Sequence, residues 1–195
     1  MTAQDHEVWL WLDTAADSVT SALPNVVVRD VAGESWSTQD LLDQATNFAM
    51  KSDVLRLEIL YKYGGIYADI DSVALRSFGP VFSRSFLSYR GSNWAQGKIK
   101  YQFLKKGSEM GTAGFDTHLM GFPRMSAFIE FVLLALRENF PTQSATLSKT
   151  GPYFFKEAFL QYPYSDQIPL IRFVKIDMYA DIYYNIFIFQ LQVSE

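Results

Sequence analysis

The sequence contains no cysteine. That absence excludes a disulfide scaffold, thiolate zinc sites and thiol catalysis, and it leaves the compartment open. Basic charge is also scarce: 17 Lys and Arg stand against 21 Asp and Glu, a net charge of −4. A generic polyanion-binding surface is therefore not expected, and nucleic acid is not an expected partner. Long hydrophobic runs are missing as well. The most apolar helical stretch, Met125 to Phe140, carries Glu130, Arg137 and Glu138. It is shorter than the roughly 20 apolar residues a spanning helix needs, so it reads as a core helix and no membrane span is expected. Residues 1–7 lack the basic and apolar regions of a signal peptide, and the chain reads as soluble. Repeats and low-complexity tracts are absent. What remains is 195 residues, 49% hydrophobic and 16% aromatic, the balance of one globular domain spanning 1–195.

Strand-like and helix-like segments alternate along the chain. Val8–Leu12 and the Val-rich Asn25–Val31 read as strands. Gln39–Met50 and Ser52–Tyr63 read as helices, the second stopped by Gly64-Gly65. Ile66–Asp71, Phe86–Tyr89, Thr117–Phe122 and Pro169–Ile176 read as further strands. Met125–Phe140 and Pro152–Tyr162 are expected helices; Thr150-Gly151-Pro152 supplies the start signal of the latter, with Pro in its first turn. The alternation predicts an α/β fold around a mainly parallel central sheet.

The informative stretch is residues 52–71, SDVLRLEILYKYGGIYADID. On a helix, Glu58 and Lys62 form an i,i+4 pair suited to the solvent side. Asp53 and Arg56 fall nearly opposite, among Leu57, Ile59 and Leu60, on a helix that is otherwise apolar almost all round. Opposite charges on an inward face need partners or a polar cleft. Two readings stand together here: an internal Asp53–Arg56 ion pair that orders the helix, and a ligand site.

In the strand that follows, alternation places Tyr67, Asp69 and Asp71 on one face and Ile66, Ala68 and Ile70 on the other. The two carboxylates sit about 6.6 Å apart at their α-carbons, a span that one divalent ion and its waters can bridge. Hard oxygen donors suit Mg²⁺ or Mn²⁺, which often complete their shell with substrate phosphates. An exposed acidic loop is the competing reading of Asp-x-Asp.

Taken together, Ser52-Asp53-x-x-Arg56 and Tyr63-Gly64-Gly65-Ile66-Tyr67-x-Asp69-x-Asp71 resemble the signature of glycosyltransferases with a DXD sugar-binding region. These are the galactosyl-, N-acetylglucosaminyl- and initiating mannosyltransferases of glycosyltransferase family 32; large clostridial glucosylating toxins share the core pattern. Lys149-Thr150-Gly151-Pro152, after the long apolar helix, resembles the family's Gly-Pro helix start.

The resemblance implies a GT-A-type fold and a nucleotide-activated sugar as donor, with a glycan or glycolipid as acceptor and retention of anomeric configuration. It implies that Asp71 ligates Mn²⁺ (or Mg²⁺) directly and that Asp69 reaches the metal through water or contacts the ribose and sugar. By the same resemblance Asp53 and Arg56 hold the donor sugar hydroxyls. Gly65 and Tyr67 belong to the donor site, Tyr67 lying against the ribose. Asp116, His118 and Gly151 fall on the candidate acceptor side. Eukaryotic relatives are Golgi membrane proteins.

The chain departs from the family at both ends. The family's first Trp-bearing strand, upstream of the one that Val8–Leu12 resembles, has no counterpart. A downstream His-x-Trp element is also missing, because the only histidines are His6 and His118. The length is short for the fold, and the expectation is a domain truncated at both edges of its site. Residues 180–195 end in an uncharged aromatic and β-branched run, YYNIFIFQLQV, with no family match. That run reads as a truncation, a mis-spliced end or an unusual edge strand, with an aggregation-prone profile. Two rivals follow. One is a haloacid-dehalogenase-like phosphatase using Asp69 and Asp71, with Lys175, Asp177 and Asp181 as its later motifs; the other is a non-catalytic nucleotide-sugar-binding remnant.

Overall fold

A computed structural model describes residues 6–13, 26–70, 85–90, 114–172 and 188–193. Seven strands form one sheet: β1 His6–Leu12, β2 Val26–Asp30, β3 Gly65–Asp69, β4 Phe86–Arg90, β5 Gly114–Phe122, β6 Leu170–Arg172 and β7 Ile188–Val193. Their order across the sheet is β2-β1-β7-β3-β5-β4-β6. Among the described residues five α-helices accompany it, α1 Gln39–Gln44, α2 Phe48–Tyr63, α3 Ala127–Asn139, α4 Thr146–Lys149 and α5 Pro152–Gln161, with a short 3-10 turn at Ser165–Gln167. The predicted elements are thus present, with ends moved by a few residues, except that residue 71 and residues 173–176 of two predicted strands lie outside the described residues. The predicted helix Gln39–Met50 is an exception, broken at 45–47 where Asn47 caps α2 by accepting from the Met50 N–H at 2.9 Å.

The sheet is mixed rather than mainly parallel. Among the described residues only β1–β2 and β4–β6 pair in parallel; β1–β7, β3–β7, β3–β5 and β4–β5 are antiparallel. Strands β1, β2, β3, β4 and β6 do share one direction. Two reversed strands, β5 and β7, are inserted among them and convert the pairing. Alternation of strand and helix type could predict the common direction but not these insertions.

The tail strand is the second correction. β7 is not an edge strand: it pairs on one side with His6–Trp11 and on the other with Ile66–Asp69. An uncharged strand suits such an interior position, whereas edge strands ordinarily carry charge or are covered. The part of the aggregation-prone run in β7 is thus a central strand, and residues 183–187 of that run lie outside the described residues.

The core holds the sheet and helices together through two aromatic clusters. Trp9, Trp11, Trp36 and Tyr63 make edge and tilted contacts, with centroids 5.2–6.1 Å apart. Phe122, Phe128, Phe155, Phe159 and Tyr162 form the other, around Phe128. Helix α3 buries Phe128, Ile129, Val132, Leu133 and Leu136, the i, i+4, i+8 stripe of a helix packed on one side. Leu134 on its other side is exposed. Among the described residues no helix is long and apolar enough to cross a membrane.

Two glycines set the α2–β3 turn. Gly64 caps α2 at φ 69°, its N–H donating to the Leu60 carbonyl, and Gly65 follows at φ 97°. A Cβ on Gly64 would lie 2.4 Å from the Arg124 nitrogen, so both conformation and close approach require glycine. This turn sends the chain from the helix bearing Asp53 and Arg56 straight into the strand bearing Asp69.

Candidate active site

Helix α2 points its inner charges at the carboxyl end of β3. Arg56 is buried and nearly saturated. Its Nε donates to the Ser52 carbonyl at 3.2 Å, Nη2 to Ser52 Oγ at 3.2 Å, and Nη1 to the Thr117 carbonyl at 2.7 Å. Nη2 also pairs with Asp53 Oδ1 at 3.1 Å. Beneath the guanidinium lies the Tyr67 ring, 4.7 Å from Cζ to centroid. Toward Asp69 the separation opens: Nη1 stands 3.9 Å from Asp69 Oδ1, beyond direct hydrogen-bond reach.

Asp69 is held from two further sides. The Tyr67 hydroxyl, two residues back on the same strand face, donates to its Oδ1. His118 Nε2 lies 3.4 Å from its Oδ2. The β3–β5 register pairs Ala68 with Leu119, so His118 is the next cross-strand neighbour of Asp69. Exposure rises along this line, from 9% for the Arg56 side chain to 23% for Asp69 and 36% for His118. The cluster therefore opens to solvent at the His118 end.

Strand β5 is irregular at this point. Leu87 pairs with Met120, yet Ser88 pairs with Asp116, so residues 117–119 bow out of the β4 ladder. Bulges beside sites re-aim groups in this way. Here the irregularity leaves the Thr117 carbonyl to accept from Arg56.

Asp53 is completed from a distant segment. Thr150 Oγ1 donates to its Oδ2 at 2.9 Å, across 97 residues of sequence. Burial pushes the Asp53 carboxyl above its usual range, against the opposing pull of Arg56 and the Thr150 hydrogen bond. Burial alone would lower the Arg56 pKa, but Tyr67, Asp53 and Asp69 together hold it raised and fully cationic. Desolvation likewise raises the Tyr67 hydroxyl, which keeps its proton for Asp69.

The sequence-derived candidates divide accordingly. Asp53, Arg56, Tyr67, Asp69 and His118 come together. Asp53 and Arg56 do form the internal ion pair, and the same pair faces Asp69. Tyr67 is 1% exposed and supports Arg56 and Asp69 from below. Gly65 sits at the opposite end of β3, paired with Phe122, and is not brought to the cluster. Gly151 caps α5 beside Thr150; a Cβ there would lie 3.0 Å from Leu147 Cα. Asp116 lies in β5 opposite Ser88. Asp71 lies outside the described residues, as do Lys175, Asp177 and Asp181 of the phosphatase reading. Three contributors escaped the sequence reading. Ser52 and Thr150 stand inside quoted motifs, so their hydroxyls were in view, but the Thr117 carbonyl had no sequence signal.

Among the described residues no cluster of three or more His, Asp or Glu is placed to hold a metal ion. Asp69 still fits a hard cation. A carboxylate has about four lone-pair sites, and Tyr67 and His118 engage only part of that capacity.

Beyond the carboxyl ends of β1 and β2 lies a cavity of about 410 Å³. Asp13, Val31, Trp36, Leu42, Lys51 and Leu55 line it. Lys51 and Leu55 adjoin Ser52 and Arg56 on α2, so the cavity and the charged cluster flank one helix.

Residues 2–88 match the family model "Glycosyltransferase sugar-binding region containing DXD motif". This part of the chain is similar to a glycosyltransferase sugar-binding region. It contains Asp53, Arg56, Asp69 and Asp71. Among solved structures, the PaToxG Glycosyltransferase is similar at a TM-score of 0.55 and 20% identity, over 75% of this chain and 51% of that one. The chain thus spans about half the length of that structure, and the likeness is one of fold. No curated protein matches.

Proposed function

We propose that the protein is a metal-dependent glycosyltransferase that moves a hexose from a UDP- or GDP-linked donor to a glycan or glycolipid acceptor, with retention. The observation that carries this reading is the gap between Arg56 and Asp69. A fully charged, buried guanidinium has its other polar atoms matched and stands 3.9 Å from a carboxylate. A gap of that size between a donor and an acceptor is filled by a hydroxyl or a water. A sugar ring offers hydroxyls that can accept from Arg56 and donate to Asp53 or Asp69 at once.

In this reading Asp53 and Arg56 orient the donor sugar, and Tyr67 stiffens both Arg56 and Asp69 from below. Asp69, with Asp71, holds Mn²⁺ or Mg²⁺. When bound, that ion supplies positive charge to the diphosphate as the glycosyl–phosphate bond breaks. The cavity beyond β1 and β2 has the size of a small-ligand pocket and lies where α/β sheets commonly bind ligands, so it takes the nucleoside. His118, at the open end, faces the acceptor side, to which Asp116, two residues earlier on β5, is also assigned, and Gly151 belongs to the corner behind Asp53.

Nucleotide release from UDP-glucose and GDP-mannose, measured with Mn²⁺ and with EDTA, tests the reading. Metal-dependent release that Asp69→Asn and Asp71→Asn abolish is the expected result. Phosphate release from a generic phosphomonoester without nucleotide release would sink it in favour of a phosphatase.

A further inference from the structure

The buried polar chain does not end at Asp53. It continues through Thr150 into the corner between α4 and α5, and that corner is built to hold Thr150 still. Asn139, at the end of α3, donates to the Ser148 carbonyl at 2.9 Å and the Lys149 carbonyl at 2.9 Å. Asn47, the cap of α2, donates to Thr146 Oγ1 at 3.1 Å. The Thr150 and Gly151 N–H groups both donate to the Thr146 carbonyl, at 3.0 and 3.1 Å. Gly151 packs so tightly on Leu147 that no side chain fits without movement. Thr150 itself is 3% exposed.

A threonine hydroxyl has one proton to give. Two acceptors stand in reach: Asp53 Oδ2 at 2.9 Å and the Thr146 carbonyl at 3.4 Å. The shorter bond runs to a carboxylate, and charge-assisted bonds are the stronger kind. The proton therefore goes to Asp53. With Oδ2 tied to Thr150 and Oδ1 tied to Arg56, the carboxylate plane is fixed, and through it the fork of Arg56.

We infer that Thr150 is a positioning residue for sugar recognition: its hydroxyl locks Asp53, and through Asp53 the Arg56 guanidinium, in the orientation that meets the donor sugar. The inference rests on the donor-site reading above and adds a residue to it. The α4–α5 corner, remote in sequence from α2, thereby becomes part of the machinery that distinguishes a nucleotide sugar from a free nucleotide.

Two variants separate the hydroxyl from the shape. Thr150→Val keeps the volume and deletes the donor, whereas Thr150→Ser keeps the donor. Urea denaturation of the unliganded protein reads the contact itself. Val is expected to lower the midpoint and Ser to stay near wild type, because only Val leaves a buried carboxylate short of a hydrogen bond. A Val variant as stable as wild type overturns the inference, since a packing role is served equally by Val.

Calorimetric titration with Mn²⁺ then compares UDP-glucose, GDP-mannose, UDP and GDP. For whichever sugar binds, Val is expected to lose about tenfold in affinity, with its free nucleotide within about twofold and Ser close to wild type. Equal losses for sugar and nucleotide, or equal losses in Ser and Val, remove the positioning role while the donor site stands. Wild-type protein that binds none of the four removes the donor reading, and the positioning role falls with it.

Discussion

Helix α2 buries charge at two places, and the two are treated differently. On one side, Glu58 is closed off: its Oε1 accepts from Ser37 Oγ at 2.7 Å, Thr38 N at 2.6 Å and Thr38 Oγ1 at 2.6 Å. Every partner belongs to the segment leading into α1, and the carboxylate pins that segment to the helix. On the other side, Asp53 and Arg56 are matched by Ser52, Thr117 and Thr150, yet the line of charge stops short at Asp69. Asp53 is pushed up by desolvation despite its partners. A buried charge whose hydrogen bonds close on themselves is part of the scaffold. One whose network ends in a gap facing solvent is prepared for something else.

The largest expected effect comes from breaking the open network. Arg56→Ala leaves Asp53 and Asp69 as buried or half-buried carboxylates without their cation, and should destabilise the protein by about 3–5 kcal/mol. Urea denaturation checks this. A loss below 1 kcal/mol would mean that water already carries most of the charge, and the cluster would be far wetter than its burial indicates. Glu58→Ala should cost somewhat less, about 2–3 kcal/mol, because the groups left behind are one N–H and two hydroxyls rather than charges. Its folded fraction should bind any donor as wild type does. A donor-affinity defect there would erase the distinction between the two sides of α2.

Asp53→Asn sharpens the comparison further, since the pH dependence of its stability reports the burial of the carboxylate. The Asp53 pKa is raised above its ordinary value of 3.8. Its folded-state proton therefore contributes stability below that value, and the contribution is lost as pH rises through the raised folded pKa. Asparagine removes the ionised carboxylate but also strips buried Arg56 of the anion 3.1 Å away, so the informative quantity is the difference between pH values. The variant should compare better with wild type at pH 7 than near pH 3, while discriminating poorly between a nucleotide sugar and its nucleotide. Parallel urea titrations at the two pH values decide it; an advantage that grows on acidification has the wrong sign.

Much of this was legible in the sequence, and the limits have physical causes. The inward pair Asp53 and Arg56, the Gly64-Gly65 stop and the shared face of Tyr67 and Asp69 all follow from local periodicity and turn chemistry. Periodicity failed at Glu58. It was expected beside Lys62 in solvent, yet Ser37 and Thr38 fold over it and bury it. Of the three readings of the tail, the edge strand is the one the sheet contradicts, because Ile188–Val193 pairs on both sides. Strand order is a property of the whole sheet, and one strand's residues do not encode their neighbours. The meeting of His118 with Asp69 and of Thr150 with Asp53 depends on cross-strand register and helix packing, which no window of sequence contains. On α2 and β3 the charged and aromatic members Asp53, Arg56, Tyr67 and Asp69 were legible, whereas Gly65 lies at the far end of β3 and Ser52 gave no signal of its part. Elsewhere it needed the fold.

The smallest effect belongs to Lys62, the last charge on α2. Lys62 lies one turn beyond Glu58 and pairs with Glu34 at 2.6 Å, both side chains being partly exposed at 36% and 22%. The hydrogen bond from Lys62 lowers the Glu34 pKa below 4.5, and the reciprocal bond raises that of Lys62 above 10.5. The carboxylate contribution is present above pH 4.5 and lost as pH falls through the lowered value. The ammonium contribution is present below pH 10.5 and lost as pH rises through the raised one. The pair should therefore add a flat increment across the whole range between. Solvent screening keeps that increment to about 0.2–1 kcal/mol. Lys62→Met should remove it, with a smaller loss in molar salt than in dilute buffer. A loss that does not shrink with salt would mean that Lys62 acts through the Trp36 and Tyr63 rings it lies over, at 5.2 and 5.5 Å, rather than through Glu34. Along one helix, charge would then serve three ends: closing a loop, facing a ligand and covering an aromatic cluster.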